Sequence, residues 1–147
     1  MKFKIDHVGY IVKNLDKSQR YYSELFGLKK ISKVINEKAH GVKIIFLDLG
    51  NSSTPVLELI QPIGVKSKVY NHLITKGEGF HHLAYEVLDI HKSIKYLKGK
   101  GCYQIGPVVP GAGHNFTDTA WLFTPRRELV ELVLKQKNKT KYNRFTK

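Results

Sequence analysis

The chain has 147 residues, 25 of them Lys or Arg against 12 Asp or Glu, for a formal net charge of +13. This length suits one domain with a real core, and no apolar run approaches the roughly 18 residues that a membrane span needs. A lone cysteine, Cys102, excludes an intrachain disulfide and points to a reducing, cytoplasmic setting, where it reads as a small packed residue.

Residues 3–13 alternate charged and apolar positions as a strand does, with no signal-peptide core. One face carries Phe3, Ile5, His7, Gly9 and Ile11, and the other Lys4, Asp6, Val8, Tyr10 and Val12. A helix then starts with Asn14 or Asp16 as its cap, runs to Phe26, and stops at Gly27. A short strand over 30–34, a polar loop over 36–41 and a strong strand over 42–49 follow. A turn at 50–53 leads into a strand over 56–60, ended by Pro62. The linker 63–79 holds a short helical stretch over 68–74. The second half repeats the order: strand 81–88, helix 90–99, strand 102–105, loop 107–113, strand 119–124 and strand 129–134. Residues 135–147 hold six basic and no acidic residues, and their low apolar content predicts a disordered tail that buries nothing. The basic balance invites nucleic acid as a partner. Core-like aromatic spacing and the lack of a groove-reading helix favour an anionic small molecule instead.

The two halves are copies. His7-Val8-Gly9-Tyr10 through Tyr21 aligns with His82-Leu83-Ala84-Tyr85 through Tyr96, an offset of 75 positions. Leu57-Glu58-Leu59-Ile60 is answered by Val130-Glu131-Leu132-Val133. Each half reads β-α-β-β-β, which predicts an α+β fold. In it, two pseudo-symmetric modules, 3–62 and 80–134, form a curved antiparallel metal-binding sheet within one domain, 1–134. Each module opens on a His and closes on a Glu within an apolar strand. If alternation turns all four inward, His7, Glu58, His82 and Glu131 surround one centre. A buried carboxylate without a cation or strong donor costs several kcal/mol. Mixed imidazole and carboxylate donors suit a divalent transition metal such as Co, Mn, Ni, Zn or Fe.

These features resemble the vicinal oxygen chelate superfamily, and within it the methylmalonyl-CoA epimerase family. The matching stretches are Ile5-Asp6-His7-Val8-Gly9, Gly41-Val42-Lys43-Ile44-Ile45-Phe46, Leu57-Glu58-Leu59-Ile60-Gln61-Pro62, Gly79-Phe80-His81-His82-Leu83-Ala84 and Pro110-Gly111-Ala112-Gly113. The resemblance implies metal ligation by His7, Glu58, His82 and Glu131. It also implies a homodimer and an enolate-forming isomerase acting on an anionic acyl substrate. His82 is the ligand of its pair, and alternation then sends His81 to the surface or a dimer face. The epimerases carry a carboxylate base two positions before the glycine that is Gly41 here. That position is Ala39, with Glu37 and His40 nearby. The resemblance implies Glu131 as the catalytic carboxylate for one face of the substrate, with His40, Glu37, His114 in the Gly111–His114 loop, or a water as the candidates for the other. Arg126 and Arg127 fall at the expected rim. The alternatives are a glyoxalase I-type lactoylglutathione lyase acting on a glutathione adduct, an extradiol-type dioxygenase, against which the fourth ligand Glu58 speaks, and a binding protein without catalysis.

Overall fold

The computed structural model describes residues 1–50, 55–137 and 145; residues 51–53 of the predicted turn and most of the tail lie outside these. The first module contains β1 (Lys4–Ile11), α1 (Leu15–Phe26), β2 (Lys29–Lys30), β3 (Ile35–Glu37), β4 (Val42–Asp48) and β5 (Val56–Pro62). After α2 (Tyr70–Lys76), the second contains β6 (Gly79–Val87), α3 (Ile90–Gly99), β7 (Tyr103–Gly111), β8 (Thr117–Phe123) and β9 (Leu129–Leu134). The two long helices begin alike. The side chain of Asn14 accepts from the Lys17 N–H at 2.9 Å, and Asp89 accepts from the Lys92 N–H at the same distance. Gly27 ends α1 in the left-handed conformation at φ 68°, as its position predicts.

One sheet runs through both modules in the order β2-β4-β5-β1-β6-β9-β8-β7, with β3 beside β4. It is mixed rather than antiparallel: β1 with β5 and β6 with β9 are parallel, the two intramodule crossovers that α1 and α3 permit. The modules join at the antiparallel β1–β6 pair. Alternation along β4 and β5 gives two apolar faces. Leu57, Leu59, Ile45 and Leu47 pack under α1, and Val56, Ile60, Ile44 and Phe46 face the concave side. Val130, Leu132, Leu122 and Ala120 pack in the same way with Ile90 and Ile94 of α3. No helix among the described residues is long and apolar enough to cross a membrane.

Two predictions about the periphery need correction. The 107–113 segment is not a loop throughout, since β7 continues to Gly111. Pro107 and Pro110 are tolerated because β7 is the last strand of the sheet, where a missing N–H breaks no inner ladder. The tail also buries something. The Phe145 ring is 3% exposed within the concave cluster of the first module, stacked on Phe46 at 3.8 Å between centroids. Lys135 N–H donates to Val87 O at 2.8 Å, and Gln136 Nε2 to His114 O at 2.7 Å. Phe145→Ala should therefore lower stability by about 3 kcal/mol, the usual cost of emptying a buried aromatic site. Urea titration measures it, and an unchanged midpoint would contradict this packing.

Candidate metal centre

His7 and His82 face one another across β1 and β6, Nε2 to Nε2 at 3.1 Å. Glu58 on β5 and Glu131 on β9 reach the same point. Their Oε2 atoms stand 3.4 and 3.2 Å from His7 Nε2, and 3.5 and 3.6 Å from His82 Nε2. Four donors held tetrahedrally about 2.1 Å from a shared centre stand about 3.4 Å apart. His7, His82 and Glu131, all buried, therefore have the spacing and chemistry of a divalent first-row ion site, and Glu58 Oε2 stands within 3.5 Å of both imidazoles. All four predicted ligands are brought together.

The backbone creates this convergence by one device used twice. The β1–β6 register slips between Ile5 and His7 and again between Gly9 and Tyr10, leaving Asp6 and His81 as extra residues. Each bulge turns two consecutive side chains toward the cup. Asp6, predicted on the opposite face, is 1% exposed and its Oδ2 lies 2.8 Å from His7 Nδ1. His81, predicted at the surface, lines the cavity with its Nδ1 2.9 Å from His82 Nδ1. Both positions obey the same 75-residue offset as His7 and His82, the one sequence signal that could have exposed them. The His82 ring rests on Gly9, where a Cβ would stand 2.2 Å from Cε1. The Trp121 ring meets His82 edge-on at 4.7 Å.

His114 also dives into the cup. The N–H of Phe116 closes a tight turn onto Gly111 O at 2.9 Å, with Asn115 and Phe116 both left-handed at φ 53° and 59°. Gly113 meanwhile presses on β4, where a Cβ would lie 2.5 Å from Ile44 Cδ1. The loop of the second module thus sits on the first. The His114 ring stacks on His7 at 5.0 Å, and its Nε2 is 3.7 Å from Glu131 Oε2. His40 occupies the cavity wall with Glu37, Nδ1 to Oε1 at 3.5 Å. Ala39 lines the same cavity, which measures about 570 Å³ and has Val42, Ile44, Ile60, Val69 and Val109 among its apolar walls. Lys68 lines it too, a cation that the sequence reading passed over. Arg126 and Arg127 are exposed on the β8–β9 turn rather than among the lining residues. Two buried polar atoms beside the cup, His114 Nδ1 and Trp121 Nε1, have no hydrogen-bond partner among the described residues, a pattern that suits a ligand or water in the cavity.

Electrostatics polarise the centre. Burial works against charge on His7, but Glu58, Asp6 and Glu131 outweigh it and raise His7 well above the ordinary imidazole value. Burial pushes both carboxylates up, yet the imidazoles prevail: His7 lowers Glu58, and His114 leads His7 and His82 in holding Glu131 well below the ordinary range. Burial, then His82 and His72, bring His81 down to about 3. An incoming cation must therefore displace a proton from His7, while the carboxylates are already ionised. Metal affinity should fall about tenfold per pH unit on acidification below the raised His7 value, and level off above it. Competition with a coloured chelator from pH 5 to 9 checks this, and a flat profile would refute it.

Residues 6–118 match the family described as the Glyoxalase/Bleomycin resistance protein/Dioxygenase superfamily. The mitochondrial methylmalonyl-CoA epimerase of Dictyostelium discoideum is 34% identical over 76% of this chain and 65% of its own length. The ethylmalonyl-CoA/methylmalonyl-CoA epimerase of Cereibacter sphaeroides is 31% identical over 75% of this chain and 80% of its own. The chain spans between about half and two thirds of the length of the mitochondrial relatives. A Streptomyces coelicolor methylmalonyl-CoA epimerase, solved in complex with 2-nitronate-propionyl-CoA, superposes with a TM-score of 0.77. It is 25% identical, covering 90% of this chain and 96% of that one. A mixed curved sheet of paired modules, the four inward donors and these matches agree: the chain belongs to the Glyoxalase/Bleomycin resistance protein/Dioxygenase superfamily and has the vicinal oxygen chelate fold of its methylmalonyl-CoA epimerases.

Proposed function

We propose that the chain is a metal-dependent isomerase of the methylmalonyl-CoA epimerase type, acting on an anionic 2-acyl thioester. One observation carries the reading: an imidazole and a carboxylate from each module converge within 3.1–3.6 Å at the floor of a largely apolar cavity. His7, Glu58, His82 and Glu131 would hold the divalent ion, which when bound would supply Lewis acidity to the substrate's oxygens. Glu131, ionised and buried, takes the proton beside the carbonyl on one face, with His114 Nε2 3.7 Å from its Oε2. The second proton-transfer group comes from the other module. Glu37, on the cavity wall and paired with His40, stands in for the carboxylate that Ala39 lacks. Lys68 offers charge to the anionic end of the substrate.

The lone Cys102 supports a cytoplasmic setting for this enzyme. Exposed Tyr21, Leu25 and Phe26 on α1 support a homodimer. The test is exchange of the α-proton of each methylmalonyl-CoA enantiomer in deuterated water by the metal-loaded protein. Exchange with inversion supports the proposal. Glu37→Gln should then cut inversion about a hundredfold, the usual contribution of a positioned acid or base, while exchange from one enantiomer persists. No exchange with either enantiomer overturns it, and turnover of a glutathione hemithioacetal would replace it with the lyase reading.

A further inference from the structure

The two bulges give the ligands unlike supports at equivalent positions of the repeat. His7 Nδ1 meets the Asp6 carboxylate at 2.8 Å, whereas His82 Nδ1 meets a second imidazole, His81, at 2.9 Å. We propose that His81 is the positioning residue of His82, a neutral counterpart to Asp6, and that this asymmetry makes the two imidazoles of the centre unequal donors. The inference rests on the metal centre proposed above.

With Nε2 of both ligands aimed at the shared point, each Nδ1 must carry the hydrogen and donate it outward. A carboxylate acceptor such as Asp6 strengthens the bond and makes the His7 ring a better electron donor. His81 Nδ1 accepts the His82 hydrogen with a lone pair only, and its own hydrogen must then sit on Nε2. This contact fixes the tautomer of His82 without adding charge to a floor that already holds Glu58 and Glu131. The His82 ring is further held by Gly9 beneath and Trp121 at its edge. His81 has its own neighbours in the His72 ring at 5.1 Å and the Trp121 ring at 6.4 Å. These keep its ring plane in place.

The experiment is Co(II) titration of wild type and variants, read by affinity and by the visible ligand-field spectrum. The variants are His81→Ala, His81→Phe, which keeps a packed ring without an acceptor, and His81→Asp, which copies the first module. Circular dichroism verifies that each is folded. The proposal expects Co(II) affinity to drop 10- to 100-fold in His81→Phe and His81→Ala, the range typical of a lost ligand-orienting partner. It expects recovery to wild-type affinity or better in His81→Asp, with a shifted spectrum. A purely packing role would spare His81→Phe and penalise His81→Asp, so that order overturns the proposal. Affinity and spectrum unchanged in all three also overturn it, and leave the metal centre standing. Absence of Co(II) uptake by folded wild type overturns the centre itself, and this inference with it.

Discussion

Protein carrying both His7→Ala and His82→Ala will retain no divalent metal through dialysis against dilute chelator, whereas wild type will keep about one ion per chain. Structural four-ligand sites bind with roughly 10–16 kcal/mol, or about 2.5–4 kcal/mol per ligand. Removing two should weaken binding roughly 10⁴- to 10⁶-fold. A second consequence follows from burial. Without His7 and His82, Glu58 loses both of its imidazole partners and Glu131 keeps only His114, two carboxylates at 6% and 5% exposure on one cavity floor, a situation that costs several kcal/mol when under-compensated. The double variant should thus be markedly less stable at pH 7 than at pH 5, and adding Glu58→Gln and Glu131→Gln should recover stability without recovering metal. Elemental analysis and denaturant titration read the two effects separately. Metal retained at wild-type stoichiometry in the double variant would overturn the assignment of the ligands.

The second large effect is steric. Gly9→Ala places a methyl group 2.2 Å from Cε1 and 2.4 Å from Nδ1 of His82, distances that no packing adjustment of a methyl allows. The ring must leave its position, carrying its Nε2 away from the other three donors. We expect a loss of about 1–3 kcal/mol from overpacking, and metal binding weakened as far as by loss of the ligand itself. Gly99→Ala, in α3 with nothing within 4 Å of the added carbon, is the matched control. It should stabilise by a few tenths to about 1 kcal/mol, through the unfolded chain and helix propensity. If Gly9→Ala binds metal as wild type does, His82 is not where the structure has it.

The repeat made the four converging side chains legible in the sequence. Glu58 and Glu131 interrupt apolar strands at matching places, and His7 and His82 open matching strands. The first helix cap, narrowed to Asn14 or Asp16, and the stop at Gly27 were legible for a local reason, since a cap is decided within four residues. Asp6 and His81 were not. A bulge is a mismatch in residue count between two strands about 75 positions apart, and nothing within either strand announces it. Period-two alternation therefore placed both side chains on the wrong face. Phe145 escaped for a related reason: composition averaged its ring into a basic tail, whereas burial depends on the single partner, Phe46. The continuation of β7 through two prolines was hidden because only its place at the edge makes them harmless.

Among the described strands, the sheet passes between the modules through a single pairing, β1 with β6. The four donors straddle that seam, two from each side. An ion bound there would also be a cross-link, and its free concentration would become a variable in the folding equilibrium. At a hundredfold excess over the dissociation constant, mass action adds about 2.7 kcal/mol to the folded state. Chelation should then loosen the seam first, so that amide exchange quickens along β1 and β6 before it does so in the strands packed under α1 and α3. The same four side chains would set both when the enzyme can turn over and how firmly its halves hold together.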